Sequence, residues 1–183
     1  MSFSYPIMRP VKGNDKGVSR DMRSEEDAQR AIELYSDTVR RICMVHLKNY
    51  SDTEDIFQTV FLKYVLHTEA FESEAHEKAW IIRVTINACK DLLKSFFRTK
   101  TVPLDQVMEV AGENGEDPGD DLLEAVLALP AKYKDVVYLY YYEEYSAVQI
   151  SHILKKNVNT IYTLLARARN LLKNRLEGRA DIE

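Results

Sequence analysis

The sequence predicts an all-α protein: two small helical domains joined by an acidic flexible linker, the C-terminal one a helix-turn-helix. Three observations carry this expectation. Apolar residues recur at threes and fours through most of the chain, and no stretch alternates as a strand would. Residues 101–121 hold seven acidic residues, no Lys or Arg, and too little apolar surface to pack. The last block sets a short helical pattern, three turn residues and a longer helical pattern in succession.

The elements follow in order. Residues 1–24, with Pro6, Pro10, Gly13 and Gly17 and no sustained periodicity, read as a flexible tail. From Glu25 a helical face emerges in Ala28, Ile32, Tyr35, Val39, Ile42 and Cys43. Ser51-Asp-Thr-Glu54 has the form of a capping box, in which hydroxyl and carboxylate satisfy amide donors at a helix start. The helix it opens carries Ile56, Phe57, Val60, Phe61, Tyr64 and Val65 on one side. Thr68–Glu77 breaks the pattern and reads as a loop. A third helix is predicted from about Lys78 to Phe97.

That third segment is the most informative one. Ile81, Val84, Ala88 and Leu92 form a face that can be buried, with Trp80 at its start. Arg83, Asn87, Lys90, Asp91 and Lys94 share another stripe. Cations neutralise phosphates and an amide can pair with a base edge, so the stripe suits a nucleic-acid strand. A solvated face of an ordinary core helix has the same look. The formal net charge of -4 conceals the contrast: residues 78–100 carry six cations against Asp91 alone, immediately before the acidic linker.

The second helical block begins near Asp121, with Leu122, Leu123, Val126, Leu127 and Leu129 as its apolar side and Pro130 placed to start a new helix. Val136, Val137, Leu139 and Tyr140 mark one helix. Tyr138, Tyr140, Tyr141, Tyr142 and Tyr145 read as amphipathic core residues rather than a base-stacking platform. Ser146-Ala-Val-Gln149 is a second capping box, opening a short helix with Ile150, Ile153 and Leu154 inward. Lys155, Lys156 and Asn157 make the turn, Asn157 serving as N-cap. The last helix, Val158 to about Leu176, buries Ile161, Leu164, Leu165, Ala168, Leu171 and Leu172. In helix-turn-helix geometry this second helix enters the major groove. It offers Asn159, Thr160, Tyr162 and Thr163 early, with Arg167, Arg169 and Lys173 further along for phosphates.

Composition narrows the function classes. With 183 residues, 45% hydrophobic and 30% charged, the chain has the makings of one or two soluble domains. No apolar run approaches the roughly 20 residues that span a bilayer, and no signal-peptide core is evident, so neither membrane insertion nor secretion is expected. Cys43 and Cys89 lack metal-type spacing and read as buried free thiols of a reducing cytoplasm. His46, His67, His76 and His152 are scattered, and no phosphate loop or nucleophilic set competes; no metal, cofactor or catalysis is expected.

Three blocks of the chain resemble the bacterial RNA polymerase sigma factors of the extracytoplasmic-function group, over nearly everything from Glu25 to Leu176. Asp52-Thr-Glu-Asp-Ile-Phe-Gln-Thr-Val-Phe61 is similar to that family's acidic pair, aliphatic pair, Gln and Phe. Lys78–Lys94 is similar to its Trp, Arg, Asn and Asp segment, with Trp80, Arg83, Asn87 and Asp91 in register. Leu129-Pro130, Ser146 to Ile150 and Thr160-Ile161 to Arg167-Ala168-Arg169 resemble its fourth region.

The resemblance implies roles. Asp55, Gln58, Phe61 and Leu62 match positions that dock on the clamp helices of the polymerase largest subunit, and the second domain would meet the polymerase flap. For capture of the non-template strand of the minus-ten element, Arg83, Lys90 and Lys94 are the phosphate candidates and Asn87 the base-reading one, while Trp80 is as much a core residue as a DNA wedge. Asn159, Thr160, Tyr162, Thr163, Arg167 and Arg169 are the candidate contacts to the minus-thirty-five element. Phe71–Glu77 matches a pocket-forming specificity loop, in which Glu72, Glu74 and Glu77 would repel phosphates, accept from a base amino group, or face solvent. Tyr162 and Leu164 stand where many relatives carry cations, which weakens the phosphate footprint. An anti-sigma factor is an expected partner, and the cytoplasm, with nucleoid association in the holoenzyme, the expected location. The competing reading is a stand-alone helix-turn-helix regulator.

Overall fold

The computed structural model describes residues 22–47, 49–99 and 121–180, and every regular element among them is helical. In chain order these are α1 (Glu25–Leu47), α2 (Tyr50–Val65), α3 (Glu74–Thr99), α4 (Asp121–Leu127), α5 (Ala131–Val137), a π-helical turn (Tyr138–Tyr142), α6 (Ala147–Leu154) and α7 (Val158–Ala180). Residues 1–21 of the predicted tail and 101–120 of the predicted linker lie outside the described residues.

α1 to α3 form a three-helix unit. Ser24 opens α1, its Oγ accepting from the Asp27 amide, and Glu25, Glu26 and Asp27 sit where the helix dipole favours anions. Ala31, Tyr35, Val39 and Cys43 of α1 pack with Ile56, Val60, Phe61 and Tyr64 of α2 and with Ile81, Ala88 and Cys89 of α3. These are largely the faces the periodicity predicts. The end of the tail is docked, contrary to expectation. The Arg23 amide donates to the Val65 carbonyl at 2.8 Å, and its guanidinium lies over the rings of Tyr64 and Phe71, 4.8 and 4.5 Å from their centroids.

Two helix starts also differ. Asn49, not Ser51, caps α2, its Oδ1 accepting from the Ser51 and Asp52 amides. The cap falls two residues earlier because Asn49 is already extended and its side-chain amide oxygen reaches both donors. α3 begins at Glu74, four residues before the predicted start, with the Ser73 hydroxyl accepting from the His76 amide.

The second unit is α4 to α7. Pro130 precedes α5, as predicted, and the Ser146–Gln149 capping box opens α6. Lys155, with φ of 51°, reverses the chain in the left-handed region, and Asn157 Oδ1 accepts from the Asn159 amide to start α7. Ile150, Ile153, Ile161, Leu164, Leu165 and Ala168 are buried, but Leu171 is exposed, because α7 has by then run past the helices that cover it. The tyrosine run is corrected likewise. Tyr138 is buried, its hydroxyl donating to Glu143 Oε1 at 2.8 Å, and Tyr145 is half-buried, while Tyr140, Tyr141 and Tyr142 are exposed. The π turn widens the helix there and rotates these rings off the core side.

The two units touch. α5 meets α1 and α6 meets α3, and Ile42, Ile82 and Ile86 of the first unit are buried in one apolar cluster with Val136, Leu139, Ile150 and Ile161 of the second. α3 is therefore covered on two sides, which its single predicted apolar face does not anticipate.

Candidate nucleic-acid interface

On α3, Arg83 is half-buried, and burial pulls its pKa below the ordinary value; an arginine stays charged regardless. Asn87 is exposed one turn further on, and Lys94 is exposed and 3.3 Å from Asp91. Lys90 departs from the stripe: its ammonium is paired with Asp135 of α5. Trp80 is half-buried, with its ring edge-on to His67 at 4.7 Å and to Tyr64 at 6.3 Å, and 5.7 Å from Phe71. This aromatic cluster fixes the start of α3 and the loop before it.

Beneath that loop lies a buried network absent from the sequence expectations. Glu77 is 4% exposed, so it neither faces solvent nor stands free to accept from a base. Its Oε1 accepts from Arg30 Nη2 at 2.7 Å and from the Tyr64 hydroxyl, and its Oε2 from the Tyr35 hydroxyl at 3.0 Å. Burial pushes the carboxyl pKa up, but these donors outweigh it and hold the group below its ordinary value. The tyrosines move the other way: burial and then the Glu77 contact push Tyr64 up to about 12. Glu72 and Glu74 are exposed, as one of the alternatives holds. Above the network opens a cleft of about 820 Å³, lined by Arg23, Arg30, Ser24, His67, Ser73 and Glu74 among others. Neither arginine stands out in the sequence pattern, because each meets its partners across more than 30 residues of chain.

On α2, Asp55 and Gln58 are exposed three residues apart, and Leu62 is 60% exposed beside them. Phe61 is not part of that surface. It is buried, 4.7 Å from the ring of Phe57, because position 61 falls on the side of α2 that faces α1 and α3.

On α7, Asn159, Thr160, Tyr162, Thr163, Arg167 and Arg169 are all exposed. Thr163 donates its hydroxyl hydrogen to the Asn159 carbonyl at 2.9 Å, so at rest it bonds within its own helix. Arg169 Nε donates to the Tyr141 hydroxyl at 2.9 Å, which raises the guanidinium pKa, and its Cζ lies 5.9 Å from the centre of the Tyr140 ring.

Residues 31–98 match the family model described as Sigma-70 region 2, and residues 119–172 that described as Sigma-70, region 4. The chain belongs to the extracytoplasmic-function sigma factors. It is 26% identical to the ECF RNA polymerase sigma factor SigW of Bacillus subtilis (strain 168), over 88% of this chain and 95% of that one. It is 28% identical to the RNA polymerase sigma factor SigV of the same organism, over 74% and 82%. Among solved structures, the sigma factor RpoE in complex with the anti-sigma factor NepR from Bartonella quintana shares the fold with a TM-score of 0.65, at 20% identity, over 83% of this chain and 98% of that one. CnrH in complex with the cytosolic domain of CnrY does so with a TM-score of 0.58, at 13% identity, over 85% and 90%.

Within this sigma factor, α1–α3 carry region 2 and α4–α7 carry region 4. The helix-turn-helix is α6, the Lys155–Asn157 turn and α7. No helix among the described residues is long and apolar enough to cross a membrane, and no group of three or more His, Cys, Asp or Glu there is placed to hold a metal ion.

Proposed function

We propose that this sigma factor binds core RNA polymerase through the outer face of α2, opens the minus-ten element with α3, and reads the minus-thirty-five element with α7. The carrying observation is the order of three surfaces on one chain: exposed Asp55, Gln58 and Leu62, then half-buried Arg83 with exposed Asn87 and Lys94, then the exposed early turns of α7. The first is a polar surface with one apolar neighbour, suited to a basic helical partner such as the clamp of the largest subunit. Phe61 acts from below, as the packing that holds α2 in place.

Opening a promoter costs a few kcal/mol per extruded base, which contacts to the single strand must offset. Arg83 and Lys94 supply charge and Asn87 a base-edge amide. The cleft between the Arg23–Arg30 segment and the loop before α3 offers an extruded base two guanidinium groups and the Phe71 ring. On α7, Asn159, Thr160, Tyr162 and Thr163 face the groove, with Arg167 and Arg169 toward phosphates and region 4 seated on the polymerase flap. The protein works in the cytoplasm, on the nucleoid when in the holoenzyme. It performs no chemistry itself and directs that of the polymerase. An anti-sigma factor is its further partner, as NepR is of RpoE.

The test is transcription reconstituted with bacterial core polymerase on a promoter recovered by selection from random DNA. The expected result is initiation that depends on this protein and a core complex that survives gel filtration. Tight duplex binding without polymerase, and no initiation with it, would instead make the chain a stand-alone helix-turn-helix regulator.

A further inference from the structure

Asp135 of α5 is 1% exposed, at the seam between the two units. Its Oδ2 takes the ammonium of Lys90, and its Oδ1 lies 3.2 Å from His46 Nε2 of α1. Two further cross-unit contacts flank it: Lys134 Nζ donates to the Val45 carbonyl at 3.1 Å, and Lys78 Nζ lies 2.8 Å from Glu143 Oε2. Ile42, Ile82 and Ile86 are sealed beside these contacts.

We propose that Asp135 is an intramolecular stand-in for a strand phosphate, closing region 4 over region 2 so that the free chain cannot engage single-stranded DNA with Lys90. The inference rests on the strand-capture reading of α3 given above. A carboxylate and a phosphodiester offer an ammonium the same anionic oxygen, and Lys90 has one charge to give. While that charge is held against the buried Asp135 carboxylate, with the Lys90 side chain itself 28% exposed, it is withdrawn from the stripe shared by Arg83, Asn87 and Lys94. Parting the units also returns Ile42, Ile82 and Ile86 to water, so closure is the resting state of the isolated chain.

The chemistry of the seam suits a contact that must open. A buried ion pair is weak as net stabilisation and strong as a determinant of geometry, because removing one partner strands the other charge. Here the site is also incompletely satisfied: Asp135 Oδ1 lies 3.2 Å from His46 Nε2 without the alignment of a hydrogen bond, and His46 Nδ1 has no hydrogen-bond partner among the described residues. That shortfall weakens the closed form without blurring its register. Region 4 thus acts as region 2's own inhibitor until a partner draws the two apart.

The experiment uses the full chain, with small-angle scattering to read compactness and fluorescence anisotropy with a labelled oligothymidylate to read strand binding. Asp135→Asn is expected to raise the radius of gyration and tighten oligothymidylate binding by about tenfold or more, the factor by which a closed population masks the competent one. Its salt dependence is expected to steepen by about 0.7 in log–log slope, one added phosphate contact on a single strand. Lys78→Glu, which sets two carboxylates against each other at the flanking pair, is expected to open the chain without touching the buried seam, and decides the matter if Asp135→Asn does not fold. Unchanged compactness and affinity in the folded variants would overturn the latch alone. An opened chain with no gain in affinity overturns the masking of Lys90. If Lys90→Ala, Arg83→Ala and Asn87→Ala in that opened chain also change nothing, strand capture by α3 falls with it.

Discussion

Glu77 of α3 and Arg30 of α1 form an ion pair of 2.7 Å that holds the first helix of region 2 against the third, with the Tyr35 and Tyr64 hydroxyls completing the site. The carboxylate is buried while the arginine is 45% exposed at its side chain, so losing Glu77 strands two buried hydroxyls but lets Arg30 reach water. Glu77→Ala is therefore expected to destabilise the chain by about 3 kcal/mol, at the low end for a broken buried pair. Urea unfolding followed by circular dichroism measures this. A loss under about 1 kcal/mol would show that the tyrosines find other acceptors.

The same site sets an acid sensitivity. The Glu77 carboxyl is held below its ordinary value of 4.5 in the folded chain, so the unfolded chain binds the proton more readily. Its contribution is therefore present above that value and is lost as pH falls through the lowered one. Between about pH 5 and about pH 3 the urea midpoint of the wild-type chain is expected to fall more steeply than that of Glu77→Gln, which has no proton to take up there. Parallel curves would assign the acid loss to other carboxylates.

Cys89 Sγ lies 3.8 Å from Cys43 Sγ, and both residues are buried. The hydrogen bond to Cys43 and then burial push the Cys89 thiol well up, so thiolate is scarce at neutral pH. An aromatic disulfide reagent is expected to modify neither cysteine at a rate faster than the chain opens, and both at once in denaturant. Rapid labelling of the native protein would mean that the α1–α3 contact breathes.

Local pattern made the helices, the Ser146 capping box and the helix-turn-helix legible in the sequence, because each is written within a few turns of chain. It also placed Asn87, Lys94 and the early α7 residues on exposed faces. What stayed illegible is long-range. Glu77 meets Tyr35 across 42 residues and Lys90 meets Asp135 across 45, and no periodicity encodes either pairing. Asp135 lies in Lys-Tyr-Lys-Asp-Val-Val, which reads as an amphipathic turn, and only the approach of α1 and α3 buries it. Phe61 failed for a related reason: a family motif fixes a residue's register, while the side of the helix that packs decides whether it meets a partner.

Asn87 and Asp55 are exposed on different helices of region 2, so their functions should separate. Asn87→Ala is expected to leave core binding intact, lower open-complex formation by about tenfold, and relax base preference at one minus-ten position, as loss of a base-edge contact does. Asp55→Lys is expected to do the reverse, weakening core binding while leaving the promoter preference of the residual holoenzyme unchanged. Permanganate footprinting and gel filtration with core polymerase read the two effects. A single variant that lowers both together would place these helices on one shared interface.

Arg169 and Tyr141 make the corresponding test in region 4. The Tyr141 hydroxyl accepts from Arg169 Nε, leaving the outer guanidinium nitrogens for a phosphate, and the Tyr140 ring lies near the same group. The tyrosine thus reduces the rotamer freedom that the arginine would lose on binding DNA. Arg169→Ala is expected to weaken holoenzyme binding to a minus-thirty-five duplex and flatten its log–log salt slope by about 0.9, one phosphate contact. Tyr141→Phe keeps the charge and removes the hydrogen bond, so affinity is expected to fall about two- to tenfold with the salt slope unchanged. That split separates positioning from charge. If Tyr141→Phe leaves affinity flat while Arg169→Ala weakens it, the phenol has no part in aiming the arginine.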